Sequence, residues 1–219
     1  MALQLLFHPF SSYCQKALVA LYEYAIPFEP QVLEGPDSPA SKRLATLWPI
    51  KRFPVLVDGE RTVIEASCIV EYLGLRMPAP QRLIPDDVAA ALEVRMMDRF
   101  FDNYVATPQQ KIVFDALRPP ADRDAYGVAQ ARAMLDTAYA WLDKTIARRN
   151  WAIGERFSLA DCAAAPFLFY ADWTHPIGAA HPNVTAYRRR LLERPSFARA
   201  VDEARPYRPL FPLGAPDRD

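Results

Sequence analysis

The sequence predicts an α/β domain with the element order βαβαββα, followed by an all-helical domain. Short apolar runs of the strand type alternate with helical periodicity in the first part of the chain. After a proline-rich stretch, the apolar residues recur at helical spacing. These two observations predict a first domain of residues 1–77, a linker of residues 78–86 and a helical domain of residues 87–219.

The elements of the first domain follow from its apolar runs and from the residues that interrupt them. A strand, a helix and a second strand come first, and this order predicts a parallel strand pair. A hairpin turns at Asp58 and Gly59, because glycine accepts a positive φ without steric cost. The predicted elements are strand 2–7, helix 13–24, strand 28–33, helix 40–47, hairpin strands 53–57 and 62–64, and a helix around 69–73.

Glu65, Ala66 and Ser67 lie where the second hairpin strand ends and a helix begins. The first N–H groups of a helix lack intrahelical partners and carry partial positive charge. An acidic side chain and a hydroxyl group at such a position can hold the two ends of an amino acid. We therefore expect Glu65 to bind an ammonium group, and the N–H groups together with Ser67 to bind a carboxylate.

Two long amphipathic helices are predicted in the second domain. The first runs from Val88 to Val105, and Pro108 is expected to kink or end it. The second spans roughly Arg123–Arg149. The aromatic residues Phe101 and Tyr104 of the first helix can pack in the core, or they can form the wall of an apolar substrate site. One helix can serve both purposes.

A helix start is predicted at Ser158, because Ser158 and Asp161 form a variant of the capping box. We assign both residues to structure. The proline-rich C-terminal tail is expected to be extended and loosely packed.

The composition excludes several classes of function. Lys+Arg and Asp+Glu number 26 each, so no global field attracts nucleic acid or an anionic membrane. No segment approaches the ~20 apolar residues that a membrane span needs, and the three histidines lack metal-ligand spacing. Three cysteines far apart in the chain suit a reducing compartment. We therefore expect a cytoplasmic, metal-free protein that binds neither nucleic acid nor a membrane.

The stretch from Phe53 to Leu73 resembles the glutathione-binding half of the glutathione transferase family. A proline that opens a strand, an Asp-Gly hairpin and a Glu-x-x-x-Ile-x-x-Tyr-Leu helix start carry the resemblance. It implies a thioredoxin-like first domain in which Pro54 is cis and Phe53 pairs its backbone with the cysteinyl part of glutathione. One position departs, because the family usually has serine after the glutamate, where this chain has Ala66 followed by Ser67.

The resemblance also implies how the thiol is activated. Ser11 matches the serine that donates its hydroxyl group to the sulfur of glutathione in transferases of the tau, phi and zeta type. A free thiol has a pKa near ~8.5, and the thiolate is the nucleophile. A hydroxyl donor at the positive end of a helix favours the thiolate and lowers that pKa.

The remaining roles are assigned by the same resemblance. Lys42, Lys51 and Arg52 are candidates for holding the glycine carboxylate of glutathione, while Tyr13 joins Phe101 and Tyr104 at the site of a small electrophile. The Ser158–Asp161 box resembles the capping motif of the family's helical domain, and the family's usual homodimer is expected.

Alternatives stay open at three positions. Ser11 can be a plain helix cap. Cys14 falls at the second cysteine of a redox motif, which leaves a glutathione-dependent thiol reductase as a rival function. Ala66 in place of the usual serine is also compatible with a non-catalytic binding or scaffold protein. A further alternative is a zeta-like enzyme, which would isomerise its substrate instead of conjugating it. Cys68 and Cys162 are expected to be buried and apolar in role.

Overall fold

The structure is a computed structural model that describes residues 2–78 and 81–219. The strands are β1 Leu3–Phe7, β2 Phe28–Val32, β3 Val55–Asp58 and β4 Arg61–Ile64. The α-helices are α1 Ser12–Glu23, α2 Pro39–Leu47, α3 Ala66–Gly74, α4 Val88–Phe100, α5 Thr107–Ala116, α6 Ala125–Thr145, α7 Leu159–Thr174, α8 Pro182–Glu193 and α9 Pro195–Ala204. The predicted order βαβαββα followed by helices is confirmed.

The four strands form one mixed sheet in the order β2-β1-β3-β4. Strands β1 and β2 are parallel, as predicted, with Leu3 opposite Phe28. Strand β3 pairs with β1 and with β4 in the antiparallel sense, and Gly59 takes a φ of +60° in the turn between β3 and β4. The sheet therefore brings the β1–α1 loop, the chain before β3 and the start of α3 into one region.

Alternate residues of the strands enter two apolar clusters on opposite faces of the sheet, as the period of two requires. Leu5 and Leu56 pack with α1 and α3 in the larger cluster, which continues into the helical domain. Leu6 and Val55 pack against Leu44 of α2 in the smaller cluster.

Helix α7 is the centre of the helical domain, since all of its 16 residues are buried. It starts at a capping box formed by Ser158 and Asp161. The Ser158 N–H and hydroxyl group both donate to the Asp161 carboxylate at 2.9 Å. The other oxygen of Asp161 accepts from the Ala152 N–H at 2.8 Å and from the Tyr187 hydroxyl at 2.6 Å. The capping box thus stabilises the N-terminus of a fully buried helix.

The first long helix is continuous but changes its winding before Pro108. A π-helical segment covers Phe101–Ala106, and α5 follows it directly. The Asp102 carbonyl accepts the Thr107 N–H and, at 3.0 Å, the Thr107 hydroxyl. Because Pro108 has no N–H to donate, a wider turn before it leaves the helix unbroken. The expected kink or end is replaced by this change of winding.

The C-terminal tail is folded, so the expectation of an extended, loosely packed tail is wrong. Residues Arg205–Leu210 form a 3₁₀-helix, and Phe211 behind it is buried. The Asp219 carboxylate pairs with Arg205 at 2.5 Å and also with Arg208.

The predicted boundaries between domains are only partly described. Residues 79–80 of the predicted linker lie outside the described residues, and the boundary at residue 78 stays a prediction. Cys162 is buried as expected, whereas Cys68 is exposed on α3, so the expectation for Cys68 is wrong. No helix in the described part of the chain is long and apolar enough to cross a membrane.

Candidate active site

A cavity of about 480 Å³ lies where the β1–α1 loop, the chain before β3 and the start of α3 face α5, α7 and the C-terminal tail. Its first wall comes from the α/β domain and contains Phe10, Ser11, Ser12, Tyr13, Trp48, Lys51, Arg52, Phe53, Pro54, Glu65 and Ala66. Its second wall comes from the helical part and contains Gln109, Gln110, Val113, Phe114, Leu117, Tyr170, Leu210, Phe211 and Pro212.

Ser11 caps the first helix and faces this cavity. Its backbone is extended, with φ −85° and ψ 124°, and its side-chain oxygen accepts the Cys14 N–H at 3.4 Å. A hydroxyl group has one proton to donate and two acceptor sites. The capping role uses an acceptor site of this hydroxyl group, so its proton can still be donated to a ligand bound in the cavity. The helix-cap alternative and the thiolate-binding role are therefore compatible on one side chain.

Cys14 has the properties of a structural cysteine. Its side chain is fully buried, and this burial raises the pKa of the thiol to about 12. An attacking redox cysteine needs exposure and a lowered pKa. The environment of Cys14 therefore opposes the thiol-reductase alternative.

The start of α3 presents its first turn to the cavity. Glu65 precedes the helix with a φ of +66°, its side chain makes no capping hydrogen bond, and it is exposed. Ala66 is buried against the cavity. The free N–H groups of the first turn and the carboxylate of Glu65 thus lie side by side.

The chain before β3 lines the opposite part of the first wall. The peptide bond between Phe53 and Pro54 is cis, as the resemblance implies. Lys51 and Arg52 are exposed at the cavity, but Lys42 is exposed on α2 and is absent from the cavity lining. Of the three predicted basic residues, the structure therefore brings two to the site.

Ser67 is not among the residues that line the cavity, although it follows Ala66 directly. It is buried, accepts a hydrogen bond from Lys16 Nζ at 2.8 Å and donates to Asp98 Oδ2 at 2.9 Å. Lys16 Nζ also pairs with Asp98 at 2.6 Å and with Asp102 at 2.8 Å. The hydroxyl group that we expected to hold a ligand carboxylate instead ties α3 to α1 and α4.

We call Lys16, Ser67, Asp98, Arg99 and Asp102 the ionic cluster. Arg99 completes it, with contacts of 2.9 Å to Asp98 and 3.3 Å to Asp102. Two cations thus face two carboxylates, and the charges balance. Burial raises the pKa of Asp102, and the charge of Lys16 opposes that rise. Lys16 is fully buried, so removing its carboxylate partners would leave an uncompensated buried charge and lower the stability of the fold.

The second wall differs from the sequence prediction. Phe101 is fully buried and packs edge-on against Phe100, and Tyr104 is half exposed beside the same ring. Neither lines the cavity, whereas Tyr13 does. Phe101 therefore serves the core, and the cavity lining does not support the placement of Phe101 and Tyr104 at the electrophile site, which stays a prediction.

The residues that sequence reasoning missed lie on α5, on α7 and in the tail. Gln109, Val113 and Leu117 recur every four residues, a spacing that could have indicated one more helix face. Tyr170 lies inside a helix that is buried throughout, and Phe211 follows a proline-rich segment. No local pattern distinguishes these two residues from ordinary core positions.

Comparison with known proteins decides the family. A family model described as the N-terminal domain of glutathione S-transferase matches residues 5–81, and a model of the C-terminal domain matches residues 125–190. The chain belongs to the glutathione S-transferase family. Within the described residues, no group of three or more His, Cys, Asp or Glu side chains is arranged to hold a metal ion.

Individual members of the family resemble this chain at moderate identity. Glutathione S-transferase GstB of Escherichia coli K12 is 26% identical, covering 87% of this chain and 93% of GstB. A stringent starvation protein A homolog of Pasteurella multocida is 27% identical, and the match covers 89% of this chain and 87% of the homolog. A glutathione S-transferase from Methylobacterium radiotolerans, solved in complex with glutathione sulfonate, has a TM-score of 0.80 and 30% identity, covering 92% and 95% of the two chains.

Proposed function

We propose that this protein is a glutathione transferase that adds the thiolate of glutathione to a small electrophile, with Ser11 stabilising the thiolate. The observation that carries the proposal is the position of Ser11, which caps α1 through its side-chain oxygen and lines the cavity. A fixed hydroxyl donor and the positive end of α1 both favour a thiolate over a thiol. The sulfur would then attack an electrophile held on the second wall.

The charged groups in the rest of the glutathione molecule would meet groups of opposite charge on the first wall. The γ-glutamyl ammonium group would meet the Glu65 carboxylate, and its carboxylate would meet the N–H groups of the first turn at Ala66. The backbone of Phe53 would pair with the cysteinyl part, and Lys51 and Arg52 lie at the cavity for the glycine carboxylate.

Other predicted ligand contacts are left out of the proposal. Lys42 and Ser67 are omitted because neither lines the cavity, and the electrophile wall consists of α5, Tyr170 and the tail instead of Phe101 and Tyr104.

The test of this function combines binding with turnover. Calorimetric titration of reduced glutathione into the wild-type protein and into Ser11→Ala should give similar affinities, since Ser11 contacts only the sulfur. The conjugation rate of Ser11→Ala should fall by about 10²-fold, as for loss of one donor to a developing or bound anion. Equal conjugation rates in the two proteins would refute the role of Ser11.

A non-catalytic binding protein is the second candidate, and one observation favours it. Ala66 lacks the hydroxyl group that the family usually offers to the γ-glutamyl carboxylate, and relatives at this distance include stringent starvation protein A homologs. No binding of glutathione at millimolar concentration would favour this candidate over the transferase.

We also propose that a second copy of the chain covers the outer face of α4. Val88, Leu92 and Met96 recur every four residues on this helix and are 84%, 66% and 59% exposed. Leu75 at the end of α3 is 73% exposed. An apolar face of this kind on a surface helix is typical of an interface. Light scattering should give twice the chain mass for the wild-type protein and a monomer for Leu92→Glu.

We also propose that the protein acts in the cytoplasm. The three cysteines are free thiols, which fits action on electrophiles in the cytoplasm.

A further inference from the structure

A second cavity, of about 300 Å³, lies between the end of α6, the loop of residues 146–158 and α8. Three of the residues that line it are arginines, with Arg148 and Arg149 in the loop and Arg190 on α8. Among the described residues that line this cavity, none carries a carboxylate side chain. Over the whole chain, Lys+Arg and Asp+Glu are equal at 26 each. The cavity is therefore a local concentration of positive charge in a chain whose formal net charge is zero.

Two of these arginines are held in place by backbone carbonyl groups. Arg149 Nη1 donates to the Ala152 carbonyl at 3.0 Å. Arg190 donates from Nε to the Asn150 carbonyl at 3.1 Å and from Nη2 to the Arg149 carbonyl at 3.4 Å. A carbonyl group fixes the position of a guanidinium group but does not neutralise its charge. Both cations are therefore positioned in advance for an anion.

Arg148 is the third cation of the cavity, and it has no such contact. It is exposed, and within residues 2–78 and 81–219 it makes no hydrogen bond or ion pair. A guanidinium group carries five N–H donors in a planar fork. Arg149 uses one of these donors and Arg190 uses two, so unused donors remain on all three side chains.

Two carboxylates contact the wall of the cavity, and both are engaged by other groups. Asp143 accepts from the N–H groups of Asn183 and Val184 at 2.8 Å and 3.0 Å, and from Asn183 Nδ2 at 3.0 Å. Glu155 accepts from Asn150 Nδ2. In the described part of the chain, neither carboxylate forms an ion pair with any of the three arginines. The arginines thus have no counter-ion of their own.

A phosphate group has the charge and the geometry that this cavity favours. Guanidinium forks match phosphate oxygens in a bidentate manner. A phosphate monoester carries about −1.5 to −2 charges near neutral pH. A single carboxylate carries only one, so three cations favour the more highly charged phosphate. The volume is at the lower end of the ~300–1,000 Å³ that is usual for small-molecule sites, which suits a small phosphorylated ligand.

We propose that this cavity is a second ligand site, which binds the terminal phosphate group of a phosphate ester or diphosphate. It shares no lining residue with the candidate active site, and the proposal does not depend on glutathione. The phosphate would join the loop to α8, since the arginines come from both elements. Ala152, whose carbonyl group holds Arg149, also donates its N–H to Asp161 of the capping box at 2.8 Å. Because the site exists only in the folded chain, ligand binding should stabilise the fold.

Calorimetric titration of pyrophosphate into the wild-type protein, Arg148→Gln and Arg189→Gln tests this site. Arg148→Gln removes a cation of the cavity without removing a contact of the fold. Arg189 is the matched control, because it is an exposed arginine of α8 that lies outside the cavity lining and contacts Glu193 at 3.7 Å. Each variant removes one positive charge, so a difference between them reports on the location of the bound anion.

We expect Arg148→Gln to lower the affinity for pyrophosphate by about tenfold, as for loss of one hydrogen-bonded charged group. Arg189→Gln should change it by less than about twofold, because salt screens an exposed charge outside the site. Pyrophosphate should also raise the Tm of the wild-type protein more than that of Arg148→Gln. Citrate, whose charge comes from carboxylates alone, should bind more weakly than pyrophosphate.

The source of the phosphate group is distinguished by a second arm of the experiment. The three proteins are sedimented with phosphatidylcholine vesicles that contain or lack phosphatidic acid. Binding to the acidic vesicles that Arg148→Gln weakens and Arg189→Gln does not would support the site with a lipid head group as its ligand. Binding of pyrophosphate with the same dependence, but without binding to vesicles, would support the site with a soluble phosphate ester as its ligand.

Three results would overturn the proposal. The first is a wild-type protein that does not bind pyrophosphate at millimolar concentration. The second is an equal effect of Arg148→Gln and Arg189→Gln, which would indicate general attraction to surface charge or binding elsewhere, for example at Lys51 and Arg52. The third is citrate binding as tightly as pyrophosphate. The proposed transferase function survives each of these results.

Discussion

Replacing Lys16 with Met leaves two buried carboxylates of the ionic cluster without their central cation. Lys16 is fully buried and lies 2.6 Å from Asp98 and 2.8 Å from Asp102. Removing one partner of a buried ion pair costs about 3–5 kcal/mol. Because Arg99 keeps its contacts with both carboxylates, we expect the lower end, a loss of about 3 kcal/mol in the free energy of unfolding.

The loss should depend on pH with a definite sign. Burial raises the pKa of Asp102, and Lys16 opposes that rise, so Lys16→Met raises the pKa further. A carboxyl group with a raised pKa in the folded state binds a proton more readily there than in the unfolded chain. Its contribution to stability is therefore present at low pH and is lost as the pH rises through the folded-state pKa. The difference between the wild-type protein and Lys16→Met should be larger at pH 8 than at pH 5.

Urea unfolding at these two pH values measures both quantities. Lys16→Met with Asp98→Asn restores the charge balance and should be more stable than Lys16→Met alone at pH 8. Lys144→Met, which removes an exposed lysine on α6, is the matched control and should change the stability by less than about 0.5 kcal/mol. A Lys16→Met loss of the same size as that control, or a loss independent of pH, would refute the account of the cluster.

Three further changes test other parts of the site. Cys14→Ala should keep the conjugation rate within about twofold of the wild-type rate, because the thiol is buried and its pKa is raised. A folded Cys14→Ala protein without activity would instead support the reductase alternative. Ala66→Ser should tighten glutathione binding by about three- to tenfold, the worth of one added hydrogen bond, and calorimetry that shows no gain would mean that the backbone N–H groups suffice. Phe211→Ala should raise the KM for the electrophile and leave the KM for glutathione unchanged, and steady-state kinetics that show the reverse would remove the tail from the electrophile wall.

The sequence predicted those parts of the fold that depend on neighbouring residues. The turn at Asp58 and Gly59, the alternation of strands and helices and the capping box at Ser158 all lie within a few positions of the residues that cause them. The first wall of the cavity was predictable for the same reason, since Phe53, Pro54, Glu65 and Ala66 belong to one continuous stretch.

The errors concern contacts between residues that are distant in the chain. Ser67 has the right residue type for a ligand contact, but Lys16 and Asp98, which are 51 and 31 positions away, occupy its hydroxyl group. Phe101 fits the helical periodicity, but its own side chain is buried in the core, and the second wall begins only after the π-helical segment. Tertiary packing decided both cases, and helical periodicity alone carries no information about it.

The central claim, that Ser11 makes bound glutathione a thiolate, has a direct measurement. The ultraviolet absorbance of the thiolate is followed against pH for glutathione bound to the wild-type protein and to Ser11→Ala. We predict a thiol pKa at least about one unit below its ordinary value of ~8.5 in the wild-type complex, and a return towards that value in Ser11→Ala. An ordinary thiol pKa in the wild-type complex, or the same lowered pKa in both complexes, would contradict the claim.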